Sequence, residues 1–249
     1  MMSRYVDYYF NHIMEIIQKV QNTQMENISG AAALMAEAIE SGNSIFVFGA
    51  SHAGILTEEL FYRTGGLALV NPIFNSAIML NTRPVNLTSA MERLDGYGKI
   101  ILDGTPIKQG DILLIHSVSG RNSVSVEMAI EARKKGIKVI VLTNLNYSRN
   151  VSSRHGSGKK LYELGDIVID NNGDFEDSCV RIEGLEQKVA PTSTIIGALI
   201  VNSIIIQAVE KLIQKEITPP VFHSANVDGG DEFNNRIFEQ YKDRIFYMK

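Results

Sequence analysis

Residues 111–143 read DILLIHSVSGRNSVSVEMAIEARKKGIKVIVLT, and this stretch decides the fold class. The apolar run at residues 112–115 predicts a buried strand, and a serine-rich turn follows it at residues 117–123. The next residues have the apolar spacing of a helix that ends at Gly136, and residues 137–142 predict a second strand. A strand, a helix and a second strand in this order indicate a βαβ unit of a parallel sheet.

The turn between this strand and this helix has the properties of an anion-binding site. A helix N-terminus presents unpaired backbone N–H groups and a partial positive charge, which together stabilise a phosphate. Hydroxyl and amide side chains add donors, and glycine lets the backbone approach a ligand closely. Plain helix capping explains the same residue types, so that alternative stays open. The candidate phosphate-binding residues are Ser117, Val118, Ser119, Gly120, Asn122 and Ser123.

A second turn of the same kind favours ligand binding over capping. The apolar strand at residues 45–48 runs into residues 49–54, GASHAG, and then into a helix. In an open parallel sheet, loops at the carboxyl ends of neighbouring strands face a common crevice in which ligands bind. Gly49, Ser51 and His52 are therefore candidate binding residues beside the serine turn at residues 117–123.

Three segments of the chain together resemble the sugar isomerase (SIS) domain family. They are residues 49–52, residues 117–122 with the strand that ends at Thr143, and residues 186–194. The resemblance covers roughly residues 40–215. It implies a three-layer αβα sandwich of the flavodoxin-like or Rossmann-like kind, with a mostly parallel sheet of about five strands. It also implies a sugar phosphate as the ligand.

Within this family, the chain looks closest to uncharacterised bacterial members named as phosphoheptose isomerases, which are similar at residues 59–66 and 226–231. Such enzymes interconvert aldose and ketose phosphates through an enediol or enediolate, and this reaction is the favoured function. Other members are phosphosugar sensors, assembly proteins or an etherase that acts on an amino-sugar phosphate, and these alternatives stay open. A SIS transcription factor would need a helix-turn-helix domain, for which the residues before the first strand are too few.

Three glutamates are candidates for the base that moves a proton between C1 and C2 of the sugar. Phosphoheptose isomerases carry a catalytic glutamate in a Glu-Glu-Leu setting, so the resemblance implies Glu58 or Glu59. Helical spacing also predicts an ordinary ion pair between Glu59 and Arg63. Glu186 lies in the loop that SIS proteins place over the sugar, although a carboxylate is favoured before a helix N-terminus in any case.

Hydroxyl and histidine side chains complete the set of candidates. Thr192 and Ser193, at the start of the last long predicted helix, either bind the ligand or cap the helix. His116 is predicted to be a packed histidine with a backbone partner. Phosphoheptose isomerases carry a histidine within the last long helix, and residues 191–213 contain none. His223 is the candidate substitute, for its own site or for that of a neighbouring subunit.

Composition and charge limit the broad class. The chain has 249 residues, 45% hydrophobic and 21% charged, which suits one large α/β domain with helical additions. A formal charge of −4 gives no broad electrostatic reason to bind nucleic acid. The single cysteine excludes an intramolecular disulfide, no signal peptide opens the chain, and residues 195–206 predict a buried core helix. A cytoplasmic protein with no membrane partner is expected.

No metal or other cofactor is expected from the spacing of ligand-type residues. No closely spaced set of His, Cys, Asp and Glu resembles a zinc site. Some phosphoheptose isomerases carry zinc, but this chain does not show that ligand set. The acidic run at residues 228–232 lacks the alternating ligands of a calcium loop and predicts a turn.

The chain is predicted to have three parts, which are an N-terminal helical arm, a SIS domain and a C-terminal extension at residues 1–43, 44–215 and 216–249. The extension is expected to pack on the domain or on a neighbouring subunit. Because the apolar helix faces exceed what one small domain needs, a homodimer or homotetramer is expected. Short strands are predicted at residues 67–70, 78–80 and 179–182, and the polar segment 144–160 is either a lid or disordered.

Overall fold

The computed structural model describes residues 3–249, which form one five-stranded sheet with helices on both faces. The strands are β1 (Ile45–Gly49), β2 (Val70–Pro72), β3 (Ile112–His116), β4 (Lys138–Thr143) and β5 (Ile167–Asp170). The helices are α1 (Arg4–Thr23), α2 (Met25–Glu40), α3 (Ile55–Leu60), α4 (Leu87–Met91), α5 (Tyr97–Asp103), α6 (Ser123–Lys134), α7 (Leu145–Arg149), α8 (Ser193–Gln214) and α9 (Gly230–Tyr241).

Every strand pair in the sheet is parallel, and the strand order is β2-β1-β3-β4-β5. The register pairs Gly49, the last residue of β1, with His116, the last residue of β3. The central strands are almost wholly apolar because helices cover them on both sides. The predicted α/β class and the mostly parallel sheet of five strands are therefore confirmed.

Side chains of the central strands alternate between two hydrophobic cores, as the pleat of a strand requires. Val47 and Leu114 belong to the core that also contains buried residues of α1, α2 and α8. Phe48 and Ile115 belong to the core that contains buried residues of α5 and α6. The sheet is thus the middle layer of three, which confirms the predicted αβα sandwich.

The N-terminal helices share the first core with the rest of the molecule. Ala32 and Met35 of α2 and Ile200 and Ile204 of α8 are all fully buried where these two helices pack together. The division of the chain at residues 43 and 215 stays a prediction.

Helix α8 is, among residues 3–249, the one helix whose length and composition would also suit a membrane span. One side of it, with Ile196, Ile200 and Ile204, is completely buried in the core. This burial agrees with the predicted core helix.

Two of the predicted short strands are wrong. Residues 76–78 form a 3₁₀ turn, which begins where the Asn75 side chain accepts a hydrogen bond from the backbone N–H of Ala77 (3.1 Å). Near Cys179, only an isolated antiparallel bridge between Val180 and Val189 forms. The strand predicted at residues 67–70 begins three residues later, because Leu67 is instead bridged to Val221.

The C-terminal residues pack on the same chain along the β2 edge. The Asn71 side chain donates to the backbone carbonyl of Arg244 (3.0 Å), and the Tyr247 hydroxyl donates to the carbonyl of Ala68 (2.8 Å). Helix α9 was not predicted. Asp231 and Glu232 lie in its first turn, so the acidic run read as a turn extends into the start of a helix.

Candidate functional site

The two predicted binding turns lie side by side at the carboxyl edge of the sheet. This follows from the pairing of Gly49 with His116, because each turn begins at the end of one of two neighbouring strands. A Cβ at residue 49 would collide with the carbonyl oxygen of Ala53, so only glycine allows this tight turn. Ser51 has a positive φ of 54°, a strained conformation of the kind found at ligand sites.

A cleft of about 200 Å³ opens beside the turn at residues 49–54, which comes first in the chain and is called the first turn from here on. Its walls include Gly49, Ser51 and Glu58 on one side and the segment of residues 73–81 on the other. The Glu58 side chain is exposed in this cleft, whereas Glu59 forms an ion pair with Arg63. Glu59 also accepts a hydrogen bond from the Asn202 side chain of α8 (2.8 Å). The predicted Glu59–Arg63 pair is thus present, and Glu58 is the glutamate of the pair that lines the cleft.

The serine turn is held open by hydrogen bonds to its backbone. Gly120 has a φ of 58°, and its carbonyl accepts from the N–H of Leu161 (2.9 Å). The Thr143 hydroxyl donates to the carbonyl of Ser117 (2.7 Å). Ser117 and Ser119 are half-buried, but Ser123 is fully buried and its hydroxyl donates to the carbonyl of Arg154 (3.2 Å). The Ser123 hydroxyl is therefore engaged inside the protein and is not available to a ligand.

The polar segment at residues 144–160 folds over this turn. Its first residues form α7, and the N–H of Arg154 donates to the carbonyl of Arg121 (2.8 Å). The Lys160 ammonium donates to the carbonyls of Ser148 (2.8 Å) and Val151 (3.2 Å). The segment is thus a folded cover on the turn and is not disordered.

Sequence reasoning missed a carboxylate and two arginines at this turn. The Asn122 amide donates to Glu92 (2.6 Å), at the end of α4, and accepts from the Arg154 guanidinium (2.8 Å). Burial raises the pKa of Glu92, against the opposing effects of the Asn122 hydrogen bond and the charges of Arg93, Arg154 and His52. No motif marked these residues, because they lie about 30 positions away in the chain from Asn122 on either side.

Positive charge is concentrated around the serine turn. Burial lowers the pKa of Arg154, and repulsion from the neighbouring Arg121 and Arg93 lowers it further. Arg121 and Arg93 thus both lie close enough to repel Arg154, and this positive charge favours an anion at the turn. The N-terminus of α6 adds its own partial positive charge at the same place.

His116, the last residue before the serine turn, contacts the first turn through its side chain. The side chain is buried, and its Nδ1 lies 3.0 Å from the carbonyl oxygen of Ala53, so the predicted packed histidine with a backbone partner is present. Burial lowers the pKa of His116, which keeps the ring neutral. With Nδ1–H donating to Ala53, the residue fixes the first turn against β3.

The N-terminus of α8 is capped by a residue that sequence reasoning missed. One oxygen of Asp177 accepts from the N–H groups of Thr192 (3.2 Å) and Ser193 (2.9 Å), and the other accepts from the Ser193 hydroxyl (2.5 Å). Thr192 occupies the N-cap position of α8, but its side chain makes no capping hydrogen bond. Its hydroxyl is buried and has no hydrogen-bond partner within residues 3–249.

Glu186 and His223 lie away from the cleft beside Ser51. Glu186 is exposed in the segment between Val180 and Val189, whose Glu183 contacts Arg4 of α1 (3.2 Å). His223 lies in a different cavity, of about 290 Å³, with its ring 4.3 Å from that of Phe233. Within one chain, the structure does not bring these two residues to the two turns.

Comparison with known proteins places the chain in a family. A family model described as SIS domain matches residues 8–144, which is more than half of the chain. A UPF0309 protein of Shouchella clausii is 51% identical over 244 residues, which cover 98% of this chain and 99% of the relative. Another UPF0309 protein, of Oceanobacillus iheyensis, is 52% identical over the same coverage. The chain belongs to the SIS domain family, and its relatives at this level of identity are UPF0309 proteins.

Two solved structures have the same fold. A phosphoheptose isomerase from Francisella tularensis is 20% identical with a TM-score of 0.53, over 82% of this chain and 95% of that one. A phosphoheptose isomerase from Neisseria gonorrhoeae is 17% identical with a TM-score of 0.51, over 84% of this chain and 97% of that one. At these identities the likeness establishes the fold and says nothing of the reaction.

Proposed function

We propose that this protein binds a sugar phosphate and isomerises it between aldose and ketose forms. The observation that carries the proposal is the adjacency of the two turns, one surrounded by positive charge and the other beside a cleft that Glu58 lines. The named activities of the Francisella and Neisseria structures agree with this proposal.

The phosphate is assigned to the serine turn. The hydroxyls of Ser117 and Ser119 and the N-terminus of α6 supply neutral donors, and Arg121 and Arg154 supply charge. Glu92 acts as a positioning residue, because its hydrogen bond fixes the Asn122 amide at the start of α6. An anion at this place relieves the repulsion among the guanidinium groups.

The sugar is assigned to the first turn and its cleft. From a phosphate at the serine turn, the carbon chain is assigned to the cleft that Ser51 and Glu58 line. Glu58 is the favoured base, because it is exposed to the cleft while Glu59 is engaged by Arg63 and Asn202. Removal of the C2 proton by the Glu58 carboxylate leaves an enediolate, and return of that proton to C1 from the protonated carboxyl gives the ketose. His52, which is exposed in the same turn as Ser51, is the candidate to assist at the hydroxyls.

A role for His223, or for Glu186, requires a second copy of the chain at the cleft, because within one chain both lie elsewhere. His223 or Glu186 would therefore reach the cleft only in an assembly, from a neighbouring subunit.

A panel of sugar phosphates with five to seven carbons, tested by thermal shift with their unphosphorylated parents, examines the binding step. A ligand at about 100 times its Kd adds about 2.7 kcal/mol to the free energy of unfolding, which is an easily measured shift. Ser119→Ala should weaken binding by about 1–2 kcal/mol, since it removes a hydrogen bond to a charged group. The matched control is Ser203→Ala, whose hydroxyl donates within its own helix to Leu199 (2.7 Å).

The outcomes separate binding from turnover. A shift by phosphorylated sugars alone, followed by aldose–ketose conversion of the same compound, supports both steps. A shift without conversion would leave a phosphosugar sensor or an etherase. If no sugar phosphate shifts the protein, or if Ser119→Ala binds as tightly as wild type, the assignment of the phosphate to the serine turn is wrong.

A further inference from the structure

Three side chains that are far apart in the sequence meet beside the N-terminal helix. They are His12 of α1, Asp174, and Cys179 from the segment that leads to α8. A ring nitrogen of His12, a carboxylate oxygen of Asp174 and the sulfur of Cys179 all lie within 4.8 Å of one another. We propose that these three residues form a binding site for a thiophilic divalent cation, for which Zn²⁺ is the best match.

The donor set is what selects the metal. Thiolate, imidazole and carboxylate together suit Zn²⁺, whereas Mg²⁺ and Ca²⁺ take oxygen ligands. Cys179 is only 6% exposed, and the side chains of His12 and Asp174 are 20% and 26% exposed, so the site lies just below the surface. A thiolate, a carboxylate and a neutral imidazole balance the charge of a divalent cation.

The surroundings of His12 fit a metal ligand. Its Nε2 lies 2.7 Å from Asp174, and its Nδ1 lies 3.7 Å from a carboxylate oxygen of Glu15. The 2.7 Å contact is a hydrogen bond that Nε2–H donates to the Asp174 carboxylate. Metal binding at Nε2 would place the ring proton on Nδ1, facing Glu15. A carboxylate behind a ligating histidine is the usual second partner in zinc sites. The ring is also stacked on Tyr8, with centroids 5.6 Å apart and planes at 9°.

Cys179 is placed between the other ligands and an open cavity. Its thiol donates weakly to the carbonyl of Ala190 (3.3 Å). The sulfur side of the site opens into a cavity of about 550 Å³, which is lined by Cys179, Tyr8 and the three basic residues Arg4, Arg181 and Lys188. The cavity leaves the fourth position of a tetrahedral ion open to water or to an anion, and its three basic residues favour the anion. Binding releases the thiol proton to solvent.

The site would fasten two parts of the fold that are also joined by hydrogen bonds from the Tyr9 hydroxyl to the Pro191 carbonyl (2.9 Å) and from the Glu183 N–H to the Tyr5 hydroxyl (3.2 Å). His12 belongs to α1, and the segment with Asp174 and Cys179 also contains Asp177, which caps α8. The proposal is independent of the sugar-phosphate site, since it rests on none of the residues of the two turns.

Cobalt titration of the full chain without a histidine tag, after metal removal with a chelator, tests this site. Cobalt bound to a thiolate gives a charge-transfer absorption in the near ultraviolet. Because the chain contains one cysteine, this absorption can come only from Cys179. We expect it to saturate at one cobalt per chain and to disappear when zinc displaces the cobalt.

Three variants assign the remaining ligands. Cys179→Ser should abolish the charge-transfer absorption, and His12→Gln and Asp174→Asn should each weaken cobalt binding at least about tenfold. Asp174→Asn keeps an acceptor for His12, so its metal-free thermal unfolding should match that of wild type. His223→Gln, a histidine in a different cavity, is the matched control and should bind cobalt as wild type does. Absence of the absorption in wild type, or equal affinity in wild type, His12→Gln and Asp174→Asn, would overturn the proposal.

Discussion

Glu58 and Glu59 are adjacent in the sequence, but their side chains have different surroundings. Glu58 is exposed in the cleft beside Ser51, and Glu59 is held by Arg63 and Asn202. The sequence left the choice between them open because both stand in the same Glu-Glu-Leu setting and the turn of α3 decides which side faces the ligand. The two glutamates are distinguished by α8, because its Asn202 binds Glu59 and not Glu58.

Replacing each of these two glutamates by glutamine separates their roles. Glu58→Gln should reduce isomerase turnover by about 10²–10⁴-fold, the usual contribution of a general base, while ligand-induced thermal shifts persist. Glu59→Gln should leave turnover within a few-fold of wild type, because it removes an ion pair away from the cleft. Steady-state kinetics on the sugar phosphate found in the panel measures both. Equal losses in the two variants would mean that the pair acts through structure and not through proton transfer.

Glu92 gives a prediction that needs no substrate. Burial raises its pKa in the folded protein above the ordinary value of 4.5. Its stabilising contribution is therefore fully present below pH 4.5 and is lost as the pH rises through the raised pKa of the folded state. We expect the free energy of unfolding of wild type, relative to Glu92→Gln, to fall as the pH rises through this window.

Urea unfolding of both proteins at a series of pH values from about 4 to 7 measures that difference. Using the difference removes contributions common to both proteins, such as that of buried His116, whose pKa is shifted in the opposite direction. A difference that stays constant with pH would mean that Glu92 titrates as it does in the unfolded chain.

At the scale of secondary-structure elements, local patterns predicted the strands that lie in the middle of the sheet. β1, β3 and β4 are short apolar runs that end in polar turns, and this pattern is produced by burial on both faces. The pattern failed at residues 78–80, where the Asn75 side chain starts a 3₁₀ turn, and at α9, which is mostly polar. At residues 76–78 a local hydrogen bond from the Ala77 N–H to Asn75 favours the 3₁₀ turn, and α9 packs on the core through Ile237. The spacing of apolar residues in the sequence contains neither kind of information.

The cap of α8 shows the same limit. Thr192 and Ser193 have the side chains of helix caps, but the cap comes from Asp177, which is 16 positions before Ser193. We predict that Asp177→Ala lowers the free energy of unfolding by about 0.5–2 kcal/mol, because two backbone N–H groups lose their acceptor. Asp177→Asn, which keeps one acceptor oxygen, should lose less. Chemical denaturation measures both, and a neutral Asp177→Ala would show that water replaces the cap.

The tight turn after β1 is open to a comparable test. Gly49→Ala should lower the free energy of unfolding by about 1–3 kcal/mol, because the new Cβ collides with the Ala53 carbonyl and forces the turn to open. The matched control is Gly156→Ala, where a Cβ meets nothing within 4 Å. The result to be compared is the urea midpoint of the two variants. If Gly49→Ala is as stable as Gly156→Ala, the turn is able to relax without cost.

At the scale of the whole molecule, residues that are far apart in the chain come together, and sequence patterns do not predict these meetings. His12 and Asp174 are 162 positions apart, so a search for closely spaced ligands does not find them. Arg154 reaches Asn122 from 32 positions away in the same manner. The family resemblance predicted the two turns and the αβα layers, since these belong to motifs, while the approach of Arg93 and Arg154 to the serine turn became visible only in the folded chain.

The apolar surface of the molecule predicts an assembly. Helix α8 exposes Leu199, Ile206 and Ile213 at spacings of seven residues, which place them on one face. Helix α1 exposes Val6, Phe10 and Met14 at spacings of four. A face of this kind on two helices is larger than the scattered apolar residues of a monomer surface, so we expect these helices to pack against a second copy of the chain.

Ile206→Glu tests this expectation, because a carboxylate in the middle of a helix interface is desolvated without a partner and should convert the homodimer or homotetramer into smaller species. Ile100→Glu on α5 is a close control, since Ile100 and Ile206 are both 67% exposed and only the second lies on the proposed interface. Sedimentation velocity at several protein concentrations measures the mass of each variant. A monomeric wild type would contradict the expected assembly and remove any role for His223 and Glu186 from a second copy. Dissociation by Ile100→Glu alone would place the interface on a different surface.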